Sequence, residues 1–157
     1  MSDFSDWKPE WNAEIFGRMK NNPQHAYIFL TKRPDKVRFS TDDENVWMGV
    51  TVTHSSEKKR LDDLRRNVKA RHYHVTFEPL FDEIGEIDFE GIDWIVIGTE
   101  TGHRKGKVNS CPEWVLNIAD QAKVRGIPVF MKEDLLPIIG EERMIQELPE
   151  QFIKRIQ

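Results

Sequence analysis

Short apolar runs alternate with longer mixed segments along this chain, and five of these runs have the length and the β-branched or aromatic content of strands. Most lack the strict polar–apolar alternation of a half-exposed strand, so we predict strands buried on both faces, as in a parallel sheet. The predicted strands are Ala26–Leu30, Asn45–Val52, His72–Phe77, Asp93–Ile97 and Ile127–Met131.

Three of the intervening segments place apolar residues at helical spacing. The predicted helices are Pro9–Met19, a segment from Ser55 or Ser56 to about Val68, and a segment from Pro112 to Gly126. Strands separated by helical crossovers favour right-handed β-α-β units. We therefore predict a single α/β domain over residues 1–157, with five mostly parallel strands and flanking helices.

The spacing of the strands is also that of a (β/α)₈ barrel. The chain has 157 residues. Five strands give roughly 31 residues per unit, and eight such units would reach the ~250 residues of a typical barrel. The pattern therefore fits the carboxyl-terminal five-eighths of a barrel or a self-sufficient open α/β sheet, and periodicity alone leaves both open.

Composition excludes several classes of protein. The net charge of −4 gives no global basic field for nucleic acid. The one cysteine, Cys111, cannot form an internal disulfide or hold an iron–sulfur cluster alone. No apolar run is long enough to span a bilayer, and the acidic first ten residues lack the apolar segment of a signal peptide. We predict a cytoplasmic protein without a membrane association.

Polar residues follow every predicted strand. Because the carboxyl ends of parallel strands meet at one edge of a sheet, this edge is the expected site for a small anionic ligand. The candidate ligand-binding residues are Thr31, Lys32, Arg33, Thr51, Glu78, Glu100, Thr101 and Lys132. The alternative is that the charged members pair with one another around the mouth of the sheet, because an unpaired buried charge is costly.

No other residue type gives a stronger candidate. His72 and His74 share one strand face, but no compact spacing supplies further zinc ligands, so we interpret them as packed histidines and predict no metal site. Cys111 precedes a helix without a neighbouring histidine, so we assign no catalytic nucleophile. We interpret the five tryptophans as core residues rather than as a stacking platform.

Taken in order, the segments around the strands resemble a family of uncharacterised bacterial and phage proteins that are similar to radical S-adenosylmethionine (SAM) barrel proteins. These segments are Phe29–Pro34, Asn45–Val52, Phe77–Leu80, Gly91–Gly102, Pro112–Val115 and Gly126–Lys132. The resemblance implies strands four to eight of a barrel. It also implies that an upstream cysteine-cluster region, absent from this chain, holds the iron–sulfur cluster, so SAM and the cluster belong to the complete family member.

The resemblance gives roles to the strand-end residues. Lys32 and Arg33 would face anionic groups, Glu78 and Glu100 would face amino or hydroxyl groups, and Lys132 would face a carboxylate or phosphate. The expected function is that of a truncated or split radical-SAM-like protein, inactive alone, that binds SAM or a small anionic ligand. The alternative is a non-catalytic α/β module for a small anion or a protein partner.

The sequence departs from the family pattern at two strand ends. Thr99 and Thr101 stand in a loop that is usually Gly-Gly-Glu-Ser-Gly, and Glu133 and Asp134 stand where a glutamine and a tryptophan usually follow Lys132. These departures concern the same edge of the sheet as the candidate site.

Five strands that do not close leave two sheet edges, around Ala26–Leu30 and Ile127–Met131. We expect either a homo-oligomer, most simply a symmetric dimer, or an upstream cysteine-cluster half to hide them. The alternative is local cover by the Pro9–Met19 helix or by the tail, residues 137–157.

Overall fold

The structure is a computed structural model that describes residues 3–156 of the chain, and side chains through residue 154. The α-helices are α1 (Pro9–Lys20), α2 (Lys59–Asn67), α3 (Pro112–Val124), α4 (Leu136–Ile139) and α5 (Glu150–Ile156). The strands are β1 (Tyr27–Thr31), β2 (Phe39–Ser40), β3 (Val46–Thr51), β4 (Val68–Lys69), β5 (His72–Phe77), β6 (Trp94–Ile97) and β7 (Val129–Met131). Single turns of 3₁₀-helix occur at Phe4–Asp6, Pro34–Lys36, Ser55–Glu57, Glu133–Leu135 and Glu141–Arg143.

The main sheet has five parallel strands in the order β1-β3-β5-β6-β7. Each strand therefore pairs with the strand that precedes it in this sheet, and the order never reverses. The predicted α/β class, the five parallel strands and the flanking helices are confirmed. β2 and β4 form a separate parallel pair.

One face of the sheet, the helix face, packs against α2 and α3. Leu61 and Leu64 of α2, and Val115 and Ile118 of α3, belong to one buried apolar cluster with the inward side chains of the strands. Phe29 of β1 contributes to this cluster at 8% exposure. The strand residues of the cluster that are 2% exposed or less form the apolar core of the domain, and they include Val46, Met48, Val50, Val75, Phe77, Ile95, Ile97, Val129 and Met131.

The opposite face, the cavity face, carries the alternate residues of the same strands. At the amino ends of the strands it is covered by α5, whose Phe152 ring lies 4.7 Å from Trp47 and 5.2 Å from Trp94 between ring centroids. Towards the carboxyl ends it carries Thr51, His74 and Thr76. The tryptophans at 47 and 94 are buried, as predicted.

The structure corrects several details of the predicted helices. The helix predicted from Ser55 or Ser56 to Val68 is a 3₁₀ turn followed by α2, which ends at Asn67 because Val68 pairs with Phe39 in the small sheet. Trp11, assigned to the core, is 45% exposed at the surface of α1. Its ring instead lies 5.4 Å from the Lys8 ammonium group.

The prediction of an open edge at the last strand is wrong. Residues 145–147 lie beside β7, where Met131 N–H donates to Ile145 O at 2.7 Å and Glu147 N–H donates to Val129 O at 2.8 Å. The tail satisfies these backbone groups, so this edge has the local cover that was the alternative to assembly.

Between residues 3 and 156, none of the helices combines the length and the hydrophobicity that a bilayer span requires.

Candidate functional site

A cavity of about 590 Å³ lies on the cavity face of the sheet beside β1. Its lining combines apolar side chains with a small number of polar ones, which is the usual composition of a small-molecule site. The sheet residues that line it are Ile28, Phe29, Leu30, Thr31, Lys32, Thr51, His74, Thr76, Trp94 and Val96, and Asp3, Phe4 and Trp7 complete the wall.

His74 is the most deeply buried titratable group of this cavity, with 2% of its surface exposed. Its side chain crosses β3 at Gly49 and reaches β1, where Nε2 donates to the Phe29 carbonyl oxygen at 3.0 Å. A β-carbon on Gly49 would lie 2.3 Å from the imidazole ring, so the glycine provides the space for the ring. Burial lowers the pKa of His74 to about 4, and the side chain is therefore neutral near pH 7.

The second ring nitrogen of His74 has no hydrogen-bond partner within residues 3–156. Because the Phe29 carbonyl oxygen can only accept, the proton of the neutral ring is on Nε2, and Nδ1 carries a lone pair. Nδ1 is buried and is bonded to none of the described residues. A buried acceptor without a partner is uncommon in folded proteins, so it marks a place where a ligand donor would be stabilised.

Asp3 lines the side of the cavity beside β1, and its carboxylate already accepts three hydrogen bonds. Its carboxylate accepts from Thr31 Oγ1 at 2.6 Å, from Lys32 N at 2.7 Å and from Ser5 N at 2.9 Å. Burial alone would raise the pKa of Asp3, but these hydrogen bonds lower it overall. Asp3 therefore fastens the amino-terminal segment to the end of β1 and is not the group that a ligand would meet.

The polar groups left to a ligand are few. The hydroxyl groups of Thr51 and Thr76 line the cavity without a hydrogen bond to any other described side chain or backbone group. Lys32 is exposed at the carboxyl end of β1 and is the lysine among the lining residues. His74 lies among the same lining residues, and Lys32 places a positive charge at the carboxyl end of β1.

A second polar cluster lies at the carboxyl ends of β5, β6 and β7. Glu78 follows β5 and Lys132 follows β7, and the two form an ion pair across the end of β6. A β-carbon on Gly98 would lie 3.1 Å from both Glu78 Cγ and Lys132 Cδ, so the pair rests on the backbone of that glycine. Burial raises the pKa of the neighbouring Asp134, whose carboxylate accepts weakly from Thr99 N at 3.4 Å.

The remaining predicted site residues lie apart from both groups. Glu100 pairs with Arg104 and accepts from Val108 N at 3.1 Å, and the Arg104 hydrogen bonds lower its pKa to about 2. Thr101 is exposed in the same loop. Arg33 contacts Asp6 and Ser5 of the amino-terminal segment.

The structure thus brings together three of the eight predicted residues in the cavity, Thr31, Lys32 and Thr51. Glu78 and Lys132 pair with each other, as the alternative interpretation expected, and Glu100 pairs with a loop arginine instead of with a strand-end residue. Whether any of these eight residues binds a ligand remains a prediction.

Sequence reasoning missed the sheet part of the cavity. Lining residues within the strands include His74, Thr76, Trp94 and Val96, whereas the predicted site residues mostly follow the strands. The signal available was the alternation in His72–Phe77, where polar residues occupy every second position, together with a glycine inside the buried run of β3.

Metal chemistry has no support in the described part of the chain. Residues 3–156 contain no group of three or more His, Cys, Asp or Glu side chains placed to hold a metal ion. The Cys111 thiol donates to the Glu113 carboxylate, and this hydrogen bond raises the thiol pKa, which disfavours the thiolate that a nucleophile or metal ligand needs.

The comparison with known proteins gives a family without an assigned activity. The family model described as "Protein of unknown function (DUF5131)" matches residues 1–135. The chain belongs to this family. The matched region includes every residue of the cavity and of the Glu78–Lys132 cluster, and the expectation of an uncharacterised family is confirmed. No curated protein and no solved structure matches the chain.

Proposed function

We propose that this chain, as one α/β domain over residues 1–157, binds a small molecule in the cavity beside β1 on the cavity face of its sheet. We also propose that it is part of a radical-SAM-like barrel protein of bacterial or phage type. The ligand is SAM or a small anion. The observation that supports this most directly is the cavity itself, whose volume of about 590 Å³ falls in the range of small-molecule sites.

The strand order supports the barrel part of this proposal. In a (β/α)₈ barrel each parallel strand lies beside the preceding one, and the order has no reversal. The order β1-β3-β5-β6-β7 has this property, whereas a doubly wound sheet reverses at a switch point. Both main helical crossovers of the sheet, α2 and α3, also pack on the same face, as the outer helices of a barrel do.

The residues of this chain do not fit an iron–sulfur cluster. A cluster takes about four thiolates, and the chain has one cysteine. We therefore derive no radical step from these residues. Cluster chemistry would need cysteines supplied from elsewhere, and the part proposed for this chain is to bind and orient the ligand.

Titration calorimetry with SAM and with inorganic phosphate tests the proposal. Lys32→Met removes the cation at the cavity entrance, and we expect affinity for the bound probe to fall about tenfold, the effect of one hydrogen bond to a charged group. Lys36→Met is the matched control, because Lys36 is exposed in the same connection but does not line the cavity. Absence of binding by both probes, or equal losses in the two variants, would contradict the proposal.

A second candidate function is self-association through β1. Tyr27 N–H donates to Asn45 O at 2.8 Å, which turns the odd-numbered residues of β1 towards β3. The backbone groups of Ile28 and Leu30 therefore point away from β3, and the Ile28 side chain is 49% exposed. A second copy could pair antiparallel with this edge about a two-fold axis.

Light scattering coupled to size exclusion distinguishes this alternative. A dimer at micromolar concentration that Ile28→Lys converts to a monomer would support association through β1. A monomeric wild-type protein would contradict self-association through β1 and would leave ligand binding as the proposed function.

A further inference from the structure

We propose that His74 is the recognition acceptor of the cavity, and that the buried end of the ligand is an apolar, uncharged group carrying one N–H or O–H donor. The inference rests on the proposed function in that both use the same cavity. It adds the chemistry of the buried end of the ligand. Lys32 and the ion pair of Glu78 and Lys132 give no information about that end.

The imidazole of His74 is held in one orientation. Its Nε2–H is engaged by Phe29 O at 3.0 Å, and Gly49 leaves the space that the ring occupies. A ring fixed at one nitrogen presents the other at a constant position, which is the property that a specific recognition group requires.

Leaving Nδ1 unpaired has an energetic cost for the fold. Nδ1 is buried among the described residues without a donor, although a buried acceptor loses its hydrogen bonds with water on folding. Phenylalanine would fill a similar volume without that cost. A ligand N–H or O–H that reaches Nδ1 would restore the missing hydrogen bond. Because Nδ1 has already lost its hydration on folding, ligand binding does not have to include that desolvation cost.

No donor of the described residues bonds to Nδ1. The nearest indole, that of Trp94, has its ring centroid 6.1 Å from that of His74, and its Nε1–H donates to Glu147 O at 3.2 Å. The Thr31 hydroxyl donates to Asp3. These two donors are therefore already engaged, and the hydroxyl groups of Thr51 and Thr76, which also line the cavity, make no hydrogen bond to Nδ1.

The lining around His74 indicates which chemical group the buried end of the ligand carries. The side chains around His74 in the cavity are mostly apolar and include Ile28, Leu30, Trp94 and Val96. A charged group would lose its hydration there without an opposite charge, because Asp3 and Lys32 lie at the end of β1. An apolar group with a single neutral donor matches both the lining and Nδ1.

The test uses phenol, toluene and anisole as probes, because they have similar shapes but phenol alone has an O–H donor. Each is titrated into the full chain while the ¹⁵N resonances of the His74 ring are recorded. We expect the free protein to show the Nε2–H tautomer, and phenol, but not toluene or anisole, to shift the Nδ1 resonance. Phenol binding without a change at Nδ1, or no phenol binding at all, overturns the inference.

Variants supply the second measurement. The ratio of phenol affinity to toluene affinity should fall about tenfold in His74→Phe, the loss of one buried hydrogen bond. The control, His103→Phe, makes the same change in an exposed loop outside the cavity and should keep the wild-type ratio. If Thr76→Val abolishes the preference and His74→Phe keeps it, a hydroxyl is the acceptor and the inference is wrong.

The two proposals can fail separately. Binding of SAM or phosphate that depends on Lys32, with no discrimination between phenol and toluene, would overturn the role of His74 alone. Discrimination that depends on His74, with no binding of SAM or phosphate, would overturn the proposed function and leave this inference in place.

Discussion

The two faces of the sheet are built from alternate residues of the same strands, yet they differ in almost every physical property. On the helix face, Val75 and Phe77 are fully buried in an apolar cluster. On the cavity face, His74 and Thr76 of the same strand line a cavity. The helix face satisfies only the requirements of packing, whereas the cavity face retains a buried acceptor and hydroxyl groups that packing does not need.

This contrast indicates where function and stability reside in the domain. A parallel strand buried on both faces reads as a continuous apolar run, and β1 and β6 have that character. β5 departs from it on one side only, through His72, His74 and Thr76. Polar residues at alternate positions of an otherwise buried strand are costly unless they have partners, so they mark the face that has another use.

The largest expected effect on stability is found by comparing substitutions at two adjacent residues of β5. Phe77→Ala removes a fully buried ring from the helix face and should lower the free energy of unfolding by about 4 kcal/mol. Thr76→Val keeps the shape and removes a hydroxyl that bonds to no described residue, so the change should be below about 1 kcal/mol. Urea unfolding followed by circular dichroism measures both, and comparable losses would contradict the division between the faces.

The sequence allowed the strands and the strand-end residues to be predicted because both depend on local pattern. His72–Phe77 was predicted with its observed bounds, and Pro9 marked the start of α1 through its position at a first turn. The end of α2, predicted at about Val68, lies at Asn67, but the pairing of Val68 with Phe39 was not predictable in this way, because that contact spans 29 positions.

The site was harder to predict than the fold for the same reason. The environment of His74 is formed by Phe29 of β1 and Gly49 of β3, which are 45 and 25 positions away along the chain. No spacing motif connects these residues, since only the register of three paired strands brings them together. Glu78 and Lys132 were recognised as strand-end charges, but their contact depends on Gly98 between them.

The next effect concerns pH and the buried histidine. The folded protein holds the pKa of His74 at about 4, against an ordinary value of 6.5, because burial disfavours the charged ring. As the pH falls below 6.5 the unfolded chain takes up a proton that the folded chain does not, so stability declines until about pH 4. The free energy of unfolding falls by about 3 kcal/mol in total through this titration. Above pH 6.5 His74 is neutral in both states, so none of this stability is lost there.

The measurement is the free energy of unfolding between pH 4 and pH 7, for the wild type and for His74→Phe. The variant lacks this titration, so its stability should fall less steeply over that interval, while the other histidines contribute equally to both curves. Parallel curves would show that His74 has the same pKa in the folded and unfolded states, and that its ring is not sequestered from water.

A smaller effect tests the space that β3 leaves for the imidazole. Gly49→Ala places a methyl group 2.3 Å from the His74 ring, and the overpacking should cost about 2 kcal/mol. The control is Gly17→Ala, where a β-carbon meets nothing within 4 Å on α1 and should stabilise the helix by about 0.5 to 1 kcal/mol.

The double variant Gly49→Ala with His74→Ala separates this clash from other causes. If the ring is the obstacle, the alanine at position 49 should cost little once the ring is absent, so the two substitutions will not be additive. Additive losses would place the cost of Gly49→Ala elsewhere in β3. Thermal unfolding of the four proteins supplies the comparison.

The smallest expected effect on stability is at the ion pair of Glu78 and Lys132. The two side chains are 29% and 41% exposed, so water screens their attraction, and the pair should contribute no more than about 1 kcal/mol.

If these residues also bind a ligand, Glu78→Gln and Lys132→Met should weaken the binding of SAM or phosphate more than they lower the melting temperature. Lys123→Met, at an exposed lysine of α3, controls for the loss of one positive charge. A double-mutant cycle read by both thermal unfolding and calorimetry decides between the two roles. Coupling that is present in stability and absent from ligand binding would identify the pair as a structural bridge over Gly98, and the ligand site would then be confined to the cavity.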